Sequence, residues 1–178
     1  MPHKLNQGFV QIYTGNGKGK STAAIGQVVR SAGHGLKSFV LMFMKDFPYG
    51  EAESLKSMRE FITIVQVGKD DYVFRRELPP PEEIENAKWA LDDAKQKMLS
   101  GNFNLIVLDE VFVAIYFGLI TEDEVLSVIK VKPTNVELIL TGRYCPQKFY
   151  DVADLITEMK EIKHYYQNGI LARKGIES

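Results

Sequence analysis

A doubly wound α/β fold with a mostly parallel sheet is predicted by three features of this 178-residue sequence. Apolar runs of strand length alternate with segments of helical period, the pattern of a sheet covered by helices on both faces. Some of those runs are continuously apolar, as strands buried on both faces require. A glycine-rich turn ending Gly19-Lys20-Ser21 joins the first run to the first helical segment.

The elements follow in order. "GFVQIYT" (8–14) is the first strand. "STAAIGQVVRSAG" (21–33) is a helix with Ala24, Ile25, Val28, Val29 and Ala32 on one apolar stripe and Gly33 near its stop. "SFVLMFM" (38–44) and "FITIVQV" (61–67) are the next strands. The stretch 78–102 carries helix punctuation: prolines at its start, glutamates in the first turn, late lysines and Gly101 past the end. Trp89 lies inside that helix and is expected in the core. "LIVLDE" (105–110) is a short apolar strand ending in two acids, and Thr121 with Glu124 opens a further helix with a capping box. "VELILTGR" (136–143) is a fifth strand and "LITEMKEIK" (155–163) a candidate sixth. "YYQNGILARKGIES" (165–178) fits no regular pattern. With no repeat, low-complexity tract or linker, residues 1–178 read as one domain.

Composition narrows the function. Lys and Arg number 22 against 23 Asp and Glu, so no global field favours nucleic acid or an anionic membrane. Cys145 is the only cysteine, which excludes an intramolecular disulfide, and it reads as a buried thiol. No stretch resembles a signal peptide or approaches the roughly 18 apolar residues of a membrane span, so a cytoplasmic location is expected. His3, His34 and His164 form no triad or metal-ligand spacing; His34 reads as a helix-end residue.

The turn "YTGNGKGKST" (13–22) has the context of a phosphate-binding P-loop, after a strand and before a helix. Thr14 stands where the usual first glycine belongs, and Gly15 follows one residue late. Gly15, Asn16, Gly17, Lys18, Gly19, Lys20, Ser21 and Thr22 make up the expected phosphate-binding turn, which the resemblance named below assigns to ATP. Glycines let successive N–H groups converge on phosphate oxygens, and a helix N-terminus adds partial positive charge. Lys20 supplies a full charge, and the Ser21 hydroxyl suits Mg²⁺. Asp109 and Glu110 reach the carboxyl edge of the sheet, where one acid would hold the metal and the other orient it or a catalytic group. Arg143, ending the next strand, is placed to clamp a phosphate or to pair with a neighbouring helix. Thr141 and Gly142 before it fit a close approach of backbone to ligand.

Across nearly its whole length the sequence resembles the P-loop ATP:corrinoid adenosyltransferases. The resemblance rests on "YTGNGKGKSTAA" (13–24), "SAGHG" (31–35), "FMKDFPYGE" (43–51), "LDE" (108–110), "GLITEDEVL" (118–126), "ELILTGR" (137–143), "ADLITEMKEIKHYYQNG" (153–169) and "ARKGIE" (172–177). It implies a RecA-like P-loop fold and a homodimer that transfers 5′-deoxyadenosine from ATP to reduced corrinoid cobalt. ATP would lie reversed relative to the usual P-loop direction and leave inorganic triphosphate. Lys20, Glu110 and Arg143 are then the catalytic candidates, Gly15 to Ser21 the triphosphate cradle, and Ser21, Glu110 and nearby Asp109 the Mg²⁺ set. Lys45 and Glu51 would line the corrinoid side, and a flavin-based reductase would supply electrons. The family's aromatic Gly-Phe-Thr-Trp element is absent. "VGKDDYVFRREL" (67–78) stands there instead, offering Tyr72 and Phe74. A Co(I) nucleophile needs no proton removed, which suits a site without a catalytic base. Two other readings stay open: a P-loop kinase or NTPase, and a non-catalytic corrinoid- or nucleotide-binding carrier.

Overall fold

The computed structural model describes residues 4–45, 49–69 and 77–177. Tyr72 and Phe74, expected on the corrinoid side, lie outside the described residues.

Six parallel strands form the sheet: β1 (Val10–Thr14), β2 (Ser38–Phe43), β3 (Ile62–Val67), β4 (Leu105–Asp109), β5 (Glu137–Thr141) and β6 (Leu155–Glu158). They lie in the order β3-β2-β4-β5-β1-β6. β2 and β4 are buried along their whole length, which explains their uninterrupted apolar sequences. Alternate residues serve opposite faces. Phe39, Leu41, Phe43, Ile106 and Leu108 pack beneath α3 (Pro81–Leu99), α4 (Val111–Tyr116) and α5 (Glu122–Lys130). Val40, Met42, Leu105 and Val107 meet Ala24 and Val28 of α1 (Lys20–Ala32) on the other face. A short helix, α2 (Gly50–Ser54), precedes β3. This is the doubly wound α/β arrangement that the sequence predicts.

Register sets the level of the functional residues. Leu108 lies beside Leu140 and Met42 beside Asp109, so β2, β4 and β5 end together with Asp109 next to Thr141. Parallel pairing brings every strand's carboxyl end to one edge, where ligands bind in open α/β sheets.

Two packing expectations are corrected. Trp89 is 65% exposed because the buried stripe of α3 is Ala87, Ala90, Leu91, Ala94 and Met98, and Trp89 falls on the opposite side of that helix. Val29 is 38% exposed, since the α1 stripe runs through Ala24, Val28 and Ser31. The sixth strand stops at Glu158 because Met159 turns onto the glycine-rich loop: its N–H donates to the Thr14 carbonyl at 2.8 Å.

The capping box of α5 is complete. Glu124 N–H donates to Thr121 Oγ1 at 3.2 Å, and Thr121 N–H donates to Glu124 Oε2 at 2.7 Å. Thr121→Ala is expected to cost about 1 kcal/mol of stability, read as a lower urea midpoint with an unchanged slope.

Candidate active site

The loop is shaped first by chain packing. Gly15 has φ +97°, and a Cβ there would sit 2.5 Å from the Met159 carbonyl oxygen; at Gly17 the same oxygen would be 2.7 Å away. No larger residue fits at either position. The Gly17 amide donates to Met159 O at 2.7 Å, so it is engaged within the protein, while Gly17 still lines a cleft beside the loop. Helix α1 then starts at Lys20 with Gly19 as its N-cap, with no side-chain cap and no acid in its first turn. Its leading N–H groups and the positive end of its dipole are left for an anion.

Lys20 folds back and donates to the Gly17 carbonyl at 2.8 Å, leaving the residue only 5% exposed. Burial lowers its pKa and the nearby positive charge of Arg143 adds to that, while Glu110 and Asp109 oppose it. Ser21 and Thr22 open toward the clefts, and Asn16 is exposed on the loop.

The two acids have different environments. Asp109 is fully buried: Oδ1 accepts from Thr141 Oγ1 at 2.7 Å and Oδ2 from Lys45 Nζ at 2.7 Å. Glu110 sits in the left-handed region, φ 59°, and its N–H donates to Thr141 Oγ1 at 2.9 Å. This backbone kink sends the two consecutive side chains to different partners. Glu110 Oε2 is buried without a hydrogen-bond partner. Its carboxyl is pushed up by burial first and by the Asp109 charge second, against the pull of Lys45, Lys20 and Arg143. Gly142 packs closely on protein: a Cβ there would lie 3.0 Å from Phe112 Cβ and 3.1 Å from its nitrogen.

Three clefts converge on Glu110. One of about 500 Å³ is lined by Ser21, Thr22, Lys45, Glu51, Glu110 and Ile176. The second, about 280 Å³, lies between the loop, Arg143 and the aromatic pair Tyr165 and Tyr166. The third, about 180 Å³, is more apolar and includes Phe43, Met44, Val113 and Phe117 beside Arg143. Lys45 also reaches Glu51 at 3.8 Å and lies over the Tyr49 ring, 4.6 Å from its centroid.

Lys20, Ser21, Thr22, Glu110, Arg143, Lys45 and Glu51 are therefore brought together. Lys18 lines the second cleft, where its Nζ donates to Glu177 Oε1 at 2.9 Å and to the Ile176 carbonyl at 2.9 Å. Sequence reasoning missed Thr141 as the bridge between the two acids, and it missed the wall made by residues 164–177. A hydroxyl beside a strand-end acid was the only signal for the first. His34 is exposed just past α1, and the half-buried Cys145 thiol is pushed up to about 12 by burial, which leaves it unreactive. Among the described residues, no group of three or more His, Cys, Asp or Glu side chains could hold a metal by itself. No helix among them is long and apolar enough to cross a membrane.

The KaiC-like protein of Pyrococcus horikoshii superposes with a TM-score of 0.57 at 16% identity, covering 89% of this chain and 75% of that one, a likeness of fold. The corrinoid adenosyltransferase of Pseudomonas aeruginosa is 34% identical over 173 residues, 96% of this chain and 84% of that protein. The corrinoid adenosyltransferase CobA of Salmonella typhimurium is 31% identical over 173 residues, again 96% of this chain and 86% of that protein. Residues 6–178 match the family model of the ATP:corrinoid adenosyltransferases BtuR/CobO/CobP. The chain belongs to that family of ATP:corrinoid adenosyltransferases.

Proposed function

We propose that this chain transfers the 5′-deoxyadenosyl group of ATP to the Co(I) of a reduced corrinoid and releases inorganic triphosphate. The cobalt lone pair forms the Co–C5′ bond while the C5′–O bond breaks, and its electron pair leaves with the triphosphate. No proton moves in that step, so it needs positioning and charge neutralisation more than a base. The observation that carries the reading is the uncapped start of α1, with Lys20, sharing a cleft with Glu110, whose Oε2 is buried without a hydrogen-bond partner.

The residues fit a Mg²⁺ ion: Glu110 offers a buried, unpartnered oxygen, and the Ser21 hydroxyl opens into the same cleft. Mg²⁺ commonly uses one or two protein oxygens and takes its other ligands from phosphates and water. When bound it would neutralise charge developing on the leaving triphosphate. Asp109, held by Lys45 and Thr141, would act by fixing Lys45 on the corrinoid side rather than by touching the metal. Lys20 and the α1 amides would bind triphosphate, and Arg143 would clamp its exposed end. Lys45 and Glu51 would meet the corrinoid. ATP bound in reverse, one domain over residues 1–178, a homodimer, a cytoplasmic setting and a flavin-based reductase as electron source complete the reading.

The test is to incubate the protein with ATP, Mg²⁺ and chemically reduced cob(I)alamin. A light-sensitive adenosylated corrinoid forming in step with triphosphate is expected. Release of phosphate or diphosphate without adenosylation would point to a kinase or NTPase, and binding without turnover to a carrier; either would refute the proposal.

A further inference from the structure

Residues 160–177 include no α-helix or strand and are mostly exposed, yet they form the outer wall of the clefts beside the phosphate loop. Their only regular feature is a single 3₁₀ turn, Tyr165–Asn168. So little buried apolar surface cannot hold a segment in one place. What holds it is a convergence of donors on one carboxylate. Glu177 Oε1 accepts from Lys18 Nζ at 2.9 Å, from Arg173 Nη2 at 3.1 Å and from the Tyr165 hydroxyl in a short contact. Oε2 accepts from the Arg173 amide at 2.8 Å and from its Nε at 3.3 Å. The Arg173 guanidinium also lies over the Tyr165 ring, 4.9 Å from the centroid. The Glu177 side chain is only 15% exposed, unlike an ordinary surface ion pair.

The contacts divide into two sets. Arg173 and Tyr165 close the segment on itself, and Lys18 ties the hub to the phosphate loop, through Glu177, the Ile176 carbonyl and, at 3.4 Å, the Tyr165 hydroxyl. Glu177 accepts all these bonds only as an ionised carboxylate, and charge-assisted bonds are the strong ones. Its carboxyl is held well below the usual range, chiefly by the Arg173 bond and then by Lys18 and Tyr165, so the latch stays charged throughout the neutral range.

We propose that Glu177 is a positioning residue for the nucleotide site, latching residues 164–177 across the phosphate loop through Lys18. Lys18 then serves the triphosphate by holding that wall in place, and Lys20 is the lysine that faces the ligand. This inference rests on the loop being a triphosphate site, and is independent of which bond of ATP breaks.

The experiment uses Lys18→Met, Glu177→Gln and the double variant of the full chain. Inorganic triphosphate, and separately ATP with Mg²⁺, are titrated calorimetrically without corrinoid, and hydrogen exchange is followed along the chain. Each single variant is expected to weaken triphosphate binding about tenfold by loss of preorganisation. The double variant should bind no more weakly than the weaker single one, since both changes open one latch. Exchange across 164–177 should accelerate alike in all three, with the strands of the sheet unchanged. Losses that multiply in the double variant would overturn the proposal, because Lys18 would then bind phosphate on its own account. Unaltered or tighter binding by Glu177→Gln would overturn it too. Failure of the parent protein to bind triphosphate would remove the nucleotide reading on which the inference stands, a result distinct from either.

Discussion

Lys20→Ala is expected to lower the adenosyl-transfer rate about a thousandfold or more while the fold persists. Removing a single preorganised donor from a developing anion costs roughly 10²–10³ in rate, and Lys20 contributes a full charge beside the open start of α1. The folded chain should tolerate the loss. Lys20 is a buried cation whose pKa burial has lowered, so removing it relieves a desolvated charge while leaving the Gly17 carbonyl without its partner. These effects oppose one another, and the thermal midpoint should move by only a few degrees. The checks are the corrinoid spectrum during single turnover and the far-ultraviolet dichroism of the same sample. Retained turnover would show that Lys20 does not face the triphosphate.

The second large effect is at Glu110. Glu110→Gln is expected to lower turnover by about a hundredfold, through loss of the oxygen that best fits Mg²⁺. The same change should raise the thermal midpoint of the nucleotide-free protein at neutral pH. Glu110 has its pKa raised in the folded state by burial and by Asp109. The folded chain therefore binds that proton more tightly than the unfolded chain does. Stability from this group is fully present below the ordinary carboxylate pKa and is lost as pH rises through the folded value. At neutral pH the ionised side chain is a liability, which a neutral amide of the same shape removes. The gain should shrink as pH falls and vanish in acid. Adding ATP with Mg²⁺ should reverse the order, because only the parent then gains the metal. A lower midpoint for Glu110→Gln at neutral pH would mean that Glu110 is stably paired in the free protein.

The legible parts of the fold were those governed by short-range rules. Continuous apolar runs marked β2 and β4, the capping box marked α5, and the strand-turn-helix context marked the phosphate loop. The carboxyl-edge position of Asp109 and Glu110 followed from parallel pairing. The separate fates of those two acids did not, because they depend on the φ of Glu110 and on Lys45 arriving from β2. Trp89 was misplaced for a related reason. Aromatic character argues for burial, but angular position on α3 decides it, and a stripe dominated by alanines gives a weak signal. Residues 164–177 carry no periodicity at all, since polar contacts to the loop rather than an apolar face hold them. Likewise the glycines at 15 and 17 read as phosphate chemistry, whereas Met159 would exclude any side chain there before a ligand arrives.

That last contact affects how the protein matures. The phosphate loop is translated well before β6, but the carbonyl that fixes its Gly17 amide belongs to Met159, just past β6. Such a distant closure is among the slower steps of folding a parallel sheet. A nascent chain that has made β1 to β5 already contains Lys20 and Glu110, yet it lacks the backbone that sets the loop. Nucleotide competence is therefore expected only once Met159 has been made and packed, and a half-made chain would have no finished cradle in which to sequester ATP.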